Sequence, residues 1–317
     1  MKRKPNLAPE QIPVVCLMGP TATGKTDAAA QIYEQIDAEI ISVDSSLVYQ
    51  GMNIGSAKPD ADFLQQYPHH LVDVRHPNDT YSVADFFNDC QALIKDISER
   101  GKLPILAGGT MFYFNSLEQG LTELPQADDA LREEIDGEAK RIGWPALHQR
   151  LSALDPQSAE RIDSMDAQRI QRALEIVITS GVPVSEHNAN RKRPLPNPLV
   201  KVALSFSDRA VLHSRIEQRF DIMLNAGLET EVRDLLESGV SRDATSMRMI
   251  GYRQMLEYLD DEITATRMRE KGIIATRQLA KRQLTWLRNQ KNLIWWVDHG
   301  LKEKEFSSLV SLIRHFV

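Results

Sequence analysis

Val14-Val-Cys-Leu-Met-Gly-Pro-Thr-Ala-Thr-Gly-Lys-Thr26 is the stretch that decides the fold of this 317-residue chain. A short apolar run, Ile12 to Met18, leads straight into Gly19-Pro-Thr-Ala-Thr-Gly-Lys-Thr26, which has the spacing G-x-x-x-x-G-K-[ST]. With a strand before it and a helix start after it, this pattern is a phosphate-cradling loop. Its chemistry is mostly backbone. Gly19 and Gly24 permit the sharp turn and close approach that aim main-chain N–H groups at phosphate oxygens. The following helix presents its positive end to the same anion. Lys25 adds a point charge, the Thr26 hydroxyl can face a magnesium ion, and Thr21, Ala22 and Thr23 complete the cradle. The loop alone does not name the phosphate compound it holds.

Outward from the loop, short apolar strands alternate with helical patterns to about residue 124. The strands are Val14–Met18, Ile40–Val43 and Pro104–Ala107; the helices are Lys25–Gln35 and Ser82–Arg100, with Ser82 as N-cap and Gly101 as stop. Such alternation predicts a parallel sheet with helices on both faces. From 125 to 194 there is no convincing strand, only helices broken at Gly143, Asp155-Pro156 and Gly181-Val-Pro183, ending in the stiff connector Arg191-Lys-Arg-Pro-Leu-Pro-Asn-Pro198. A strand at Val200–Phe206 then resumes the sheet, Ser207-Asp208 caps a long helix to about Asn225, and the remainder reads as helical. The expected fold is therefore α/β: a P-loop NTPase-like parallel sheet flanked by helices, built from 1–124 and 195–317, with an all-helical insertion domain at 125–194.

Composition is that of a globular protein, 42% hydrophobic, with no apolar stretch of membrane-spanning length. The basic start Met1-Lys-Arg-Lys4 is followed by no hydrophobic signal region, so a cytoplasmic protein is expected. Cys16 and Cys90 are too few for a disulfide framework or zinc cage and read as small buried hydrophobes. Net charge is −6, but it is unevenly spread. Between Ile263 and Asn292 stand Arg267, Arg269, Lys271, Arg277, Lys281, Arg282, Arg288 and Lys291 against Glu270 alone, or 8 − 1 = +7. Clustering of this kind on an acidic protein marks either a polyanion site or a solvated helix face. Arg191-Lys192-Arg193 is a second basic cluster.

In an open parallel sheet, ligands sit beyond the carboxyl ends of the strands. Two further sequences land there: Ile40-Ile-Ser-Val-Asp44-Ser-Ser, which ends a strand in a carboxylate, and Pro104-Ile-Leu-Ala-Gly-Gly-Thr110, which ends another in two glycines and a threonine. Asp44 can serve as magnesium ligand, general base or turn cap, and its place beside a phosphate loop favours a chemical role. Gly108-Gly109 gives either a tight turn or room for a substrate to reach the backbone.

Taken in order, several motifs resemble the bacterial tRNA dimethylallyltransferases. They are the phosphate loop, Asp44-Ser-Ser-Leu-Val-Tyr49, Met52-Asn-Ile-Gly-Ser-Ala-Lys-Pro59, His69-His-Leu-Val-Asp73, Tyr81-Ser-Val-Ala-Asp-Phe86 and Gly108-Gly-Thr-Met-Phe-Tyr113. Arg215-Ile-Glu-Gln-Arg-Phe220, Ile250-Gly-Tyr-Arg253 and Thr276-Arg-Gln-Leu-Ala-Lys-Arg-Gln-Leu-Thr-Trp286 continue the series, so the resemblance runs from about residue 12 to 296. Ser56 stands where the family more often has Thr, and Phe112 where it more often has Leu.

The resemblance implies transfer of a dimethylallyl group from dimethylallyl diphosphate to N6 of the adenine immediately 3′ of the anticodon in tRNA. A phosphate loop can then cradle a diphosphate leaving group with no nucleotide present, with Mg2+ at Thr26 and Arg219 as a further arginine for the diphosphate. An exocyclic adenine amine is a poor nucleophile, and Asp44 would aim it and take its proton while Thr110 adds an orienting hydrogen bond. The target base must leave its stack to reach the pocket. Contacts to the tRNA anticodon stem-loop implied around the pocket are Asp44, Ser45, Ser46, Leu47 and Thr110. In the insertion they are Arg132, Gln168, Arg169, Ile170, Gln171 and Arg172, with Gln168, Arg169, Gln171 and Arg172 on the exposed side of a helix. In the C-terminal third they are Arg248, Gly251, Tyr252, Arg253, Lys281, Arg282, Gln283, Arg288 and, for stacking, Trp286. Trp295-Trp296 reads as core, and the chain as a monomer. Two other classes share the loop: a small-molecule kinase with Asp44 as base, which leaves the basic C-terminal third unexplained, and a nucleotide-switched RNA-binding module, which leaves Asp44 unexplained.

Overall fold

The computed structural model describes residues 8–126, 128–190, 192–298, 310–311 and 313–314; the basic start Met1–Lys4 and Arg191 lie outside them. The chain forms two compact units, one of Met1–Glu118 with Leu195–Val317, the other of Gln119–Pro194.

The first unit is built on a six-stranded sheet in the order β3-β2-β4-β1-β5-β6, all of whose pairings are parallel. The strands are β1 (Val14–Met18), β2 (Ala38–Val43), β3 (His69–His70), β4 (Leu103–Gly108), β5 (Leu199–Phe206) and β6 (Leu293–Asp298). β1 lies between β4 and β5, so a sheet interrupted after residue 118 is closed by the strand that returns at Leu199. All five β1 side chains are buried, as expected of a parallel strand covered on both faces. Val15 and Leu17 pack with Ala28, Ala29 and Ile32 of α1 (Lys25–Gln35); each fully buried large aliphatic contributes roughly 1.5–3 kcal/mol. α3 (Val83–Glu99) also contacts β2 and β4. It starts as the sequence indicates: the Ser82 side chain accepts from Asp85 N, and Asp85 returns the bond by accepting from Ser82 N at 2.8 Å. Cys16 and Cys90 are buried free thiols, and burial, helped by Glu118 against the opposing Lys201, pushes Cys16 up to about 12.

Two strands depart from the sequence reading. β6, in a stretch read as helical, pairs with β5 from Lys201↔Leu293 to Phe206↔Asp298. β3 is a two-residue edge strand on β2. Trp295, read as core, is 39% exposed on β6, the last strand of the sheet among the described residues; the Trp296 side chain lies outside the described part. α9 (Arg209–Asn225), α10 (Leu228–Glu237), α11 (Tyr252–Leu259) and α12 (Ala265–Arg288) complete this unit, with α12 packed on α9 and α11. No described helix is long and apolar enough to cross a membrane.

The second unit holds α5 (Asp129–Ile142), α6 (Trp144–Leu154), α7 (Pro156–Arg161) and α8 (Ala167–Ser180). Ile135, Leu147, Leu151, Ile170 and Leu174 form its core.

Candidate active site

Three strand ends converge on one site. β1 ends at Met18 and enters the loop Gly19–Gly24. Gly24, at φ 80°, is the N-cap of α1 in the left-handed region, where glycine carries no Cβ penalty. Ala22 also has positive φ, 65°, a strained backbone of the kind held at ligand-binding loops. Pro20 O accepts from Thr23 Oγ1 at 2.8 Å and from Lys25 Nζ at 2.6 Å, which folds the loop onto itself. Lys25 has its pKa lowered to about 8, chiefly by burial, with Asp44 pulling it up and Arg219 pushing it further down.

β2 ends in Asp44. Its Oδ1 accepts from Ser46 N at 2.9 Å and from Ser46 Oγ at 2.5 Å, the turn-cap role that the sequence allowed. Its Oδ2 has no hydrogen-bond partner among the described residues. β4 ends in Gly108, and Thr110 N donates to Val43 O at 3.1 Å. Thr110 Oγ1 accepts from Ser45 N at 3.0 Å, so Asp44 and Thr110 sit on two strand ends tied side by side. Thr26, half-buried at the start of α1, makes no hydrogen bond through its hydroxyl among the described residues. No group of three His, Cys, Asp or Glu side chains suited to a metal occurs among the described residues. The Thr26 hydroxyl beside a phosphate cradle fits a small hard cation that keeps its waters and takes other ligands from substrate phosphates.

The far wall is the segment Met52–Pro59. Glu231 of α10 accepts from Asn53 N at 2.8 Å, Ile54 N at 2.6 Å and Gly55 N at 3.0 Å, and from Tyr252 Oη at 2.7 Å. Lys58 has a buried side chain and staples the segment by donating to Tyr49 O, Asn53 Oδ1 and Asp73. Ser56 Oγ donates to Met52 O at 2.6 Å, a bond that the family's commoner Thr could also make. Arg219 of α9 reaches this wall, donating Nη2 to Ala57 O at 3.1 Å. Burial lowers its pKa, Asp44 opposing. The surface ion pair open to Arg219 is not formed: Glu217 and Asp221 hold Arg269, and Glu217 also holds Arg277. The cavity enclosed by these elements is about 1030 Å³, lined among others by Lys25, Thr26, Asp44, Thr110, Arg219 and Arg282. Phe112, 59% exposed, and Trp286 also line it.

The basic stretch divides in two. Arg267 pairs with Glu270, Arg269 with Glu217 and Asp221, Lys271 with Glu257, and Arg277 with Glu217. Lys281, Arg282 and Arg288 are exposed and form no ion pair among the described residues; Arg248 and Arg253 are exposed too.

Some expected tRNA contacts are not surface side chains. Tyr252 is fully buried with its hydroxyl on Glu231, and Gly251 beside it is buried. Gln283 is 7% exposed, its amide consumed by two loops of the site. In the second unit, Ile170 is a core residue of α8, so its side chain cannot meet an RNA. Of the four α8 residues expected on the exposed side, Gln168 and Arg169 are exposed; Gln171 and Arg172 are half-buried. Gln171 donates to Asp136, and Arg172 donates to Glu175 and Pro125 O. Arg132 pairs with Asp129 and with the buried Glu175. Glu231 carries no sequence signal, since its backbone partners lie 176 to 178 residues away.

A family model described as IPP transferase matches residues 47–290. The tRNA dimethylallyltransferase of Janthinobacterium sp. (strain Marseille) is 56% identical over 279 residues, 87% of this chain and 89% of that protein. That of Methylobacillus flagellatus is 51% identical over 287 residues, 90% and 91% of the two chains. Among solved structures, the full-length tRNA isopentenylpyrophosphate transferase of Bacillus halodurans superposes with TM-score 0.70 at 36% identity, over 96% of this chain and 97% of that one. A eukaryotic dimethylallyltransferase acting on tRNA gives TM-score 0.78 at 25% identity, over 96% and 79%.

Proposed function

The chain belongs to the IPP transferase family and is a prenyltransferase, and from that premise we propose that it moves a dimethylallyl group from dimethylallyl diphosphate to N6 of the adenine immediately 3′ of the anticodon in tRNA. The observation that carries this reading is one cavity with a phosphate cradle on one wall and, on the neighbouring strand ends, a carboxylate oxygen with no hydrogen-bond partner among the described residues. The allylic C–O bond breaks and its electron pair leaves with diphosphate. Lys25, Arg219 and the N–H groups of the loop and of α1 hold that charge. The N6 lone pair forms the new C–N bond. Asp44 Oδ2 accepts an N6 hydrogen and then its proton, which completes the balance. The Thr110 hydroxyl proton, held only by a 3.3 Å contact to Ser45 Oγ, can turn to a ring nitrogen of the base. Thr26 would hold a magnesium ion, and such an ion would supply further neutralisation of the leaving group.

Mass spectrometry of digested tRNA tests the reading. Protein, magnesium and unmodified tRNA should yield prenylated adenine with dimethylallyl diphosphate and no modified product with ATP. ATP-dependent phosphoryl transfer without prenylated adenine would favour the kinase.

Lys281, Arg282 and Arg288, the cations of α12 with no ion pair among the described residues, hold tRNA phosphates in this reading, with Gln168 and Arg169 as contacts in the second unit. Each Lys or Arg→Ala change on α12 should weaken tRNA binding and flatten the plot of log affinity against log salt by about 0.7–0.9 per lost phosphate contact. Dimethylallyl diphosphate affinity should stay within error for Lys281 and Arg288, which lie outside the cavity lining. Unchanged slopes in all three variants would return this face to a solvated helix surface.

A further inference from the structure

We propose that Gln283 is a positioning residue: its amide sets the separation between the diphosphate cradle and the Asp44–Thr110 end of the site. This deepens the transferase reading and rests on it. Gln283 Oε1 accepts from Thr21 N, inside the phosphate loop, at 3.0 Å. Its Nε2 donates to Gly109 O, in the turn that carries Thr110, at 2.8 Å. Both ends of a buried amide are thus spent on two loops 262 and 174 residues away in sequence. A Cβ at Gly109 would lie 2.6 Å from Gln283 Nε2, so the bridge needs glycine there.

The bridge does what the sheet cannot. The β1–β4 register ends at Met18↔Gly108. Beyond it, no hydrogen bond among the described residues joins the phosphate loop directly to Gly109 or Thr110. Thr110 is tied to β2 through Val43 O and Ser45 N. Beyond the ladder, Gln283 is therefore, among the described residues, the hydrogen-bonded link between the loop that holds the leaving group and the turn that carries Thr110. Displacement needs the reacting atoms about 3–3.5 Å apart and aligned, and a 1 Å error can cost about 100-fold. The clamp rides on α12, between the exposed Lys281 and Arg282 and the half-buried Trp286. An RNA seated on that helix therefore bears on the same element that spaces the two walls.

Two substitutions test the clamp. Gln283→Met keeps the length, loses both hydrogen bonds and adds no charge. Its kcat should fall roughly 10- to 100-fold with both KM values within about twofold of wild type. Gln283→Glu retains the acceptor for Thr21 N–H but, when ionised, has no donor for Gly109 O; its protonated form restores one. A carboxyl group is ionised at high pH, so the ratio of variant to wild-type kcat should be lowest at pH 8 and rise as pH falls toward the carboxyl range. Assays at saturating substrates, below each variant's melting midpoint at each pH, separate this from loss of fold. A wild-type kcat in Gln283→Met, a loss expressed only in KM, or a Gln283→Glu ratio flat with pH would overturn the clamp. Wild-type protein that forms no prenylated adenine would instead refute the transferase reading itself.

Discussion

Asp44→Asn is expected to lower turnover by about 10²–10⁴-fold, the usual cost of removing a general base, with tRNA affinity nearly unchanged. The substitution keeps size and shape. Its Oδ1 can still accept from Ser46 N and Ser46 Oγ, so the turn after β2 survives. What changes is the other position. Oδ2, an acceptor without a hydrogen-bond partner among the described residues, becomes an NH2 group that can neither receive the N6 proton nor accept its hydrogen bond. Two donors then face each other where the amine must be aimed. Single-turnover prenylation with saturating tRNA, beside a direct binding titration, reads the two quantities separately. Near-normal turnover would remove Asp44 from the mechanism and leave it the cap of its turn.

Lys25→Ala should bring diphosphate-dependent transfer down by about 10²–10³-fold or more, the scale of losing one preorganised group at a developing charge. Lys25 is the cation of the cradle itself, and Arg219 has one donor spent on Ala57 O. The pKa of Lys25 supplies a second readout. Burial lowers it to about 8, so the ammonium is charged below that pH and neutral above it. Affinity for dimethylallyl diphosphate should therefore weaken as pH rises through about 8 in the wild type, and that component should vanish in Lys25→Ala. A bound diphosphate favours the charged form and shifts the transition upward in the complex. Transfer at the wild-type rate in Lys25→Ala would show that the loop does not hold the leaving group.

The sheet and the heart of the site were legible because their signals are local. A strand running into a glycine-rich turn and a helix start is written in thirteen consecutive residues, Val14 to Thr26. Ser82 and Asp85 cap α3 within one turn, and Asp44 and Thr110 stand at strand ends visible as short apolar runs. Tertiary structure decided what depends on distant partners. Leu293–Asp298 is an apolar run whose period does not separate strand from helix; the open edge of β5 makes it β6. The basic run reads as one feature in sequence. Acids of α9 and α11 neutralise Arg269, Lys271 and Arg277, while Lys281, Arg282 and Arg288 are left to solvent. Gln171 and Arg172, expected on the exposed side of α8, are half-buried for the same reason: a helical face is polar or buried according to what packs on it. Glu231 and Gln283 close hydrogen bonds across 178 and 262 residues. Neighbouring residues encode turns, caps and periodicity, whereas a buried amide or carboxylate acquires its role only when packing brings its partners within about 3 Å.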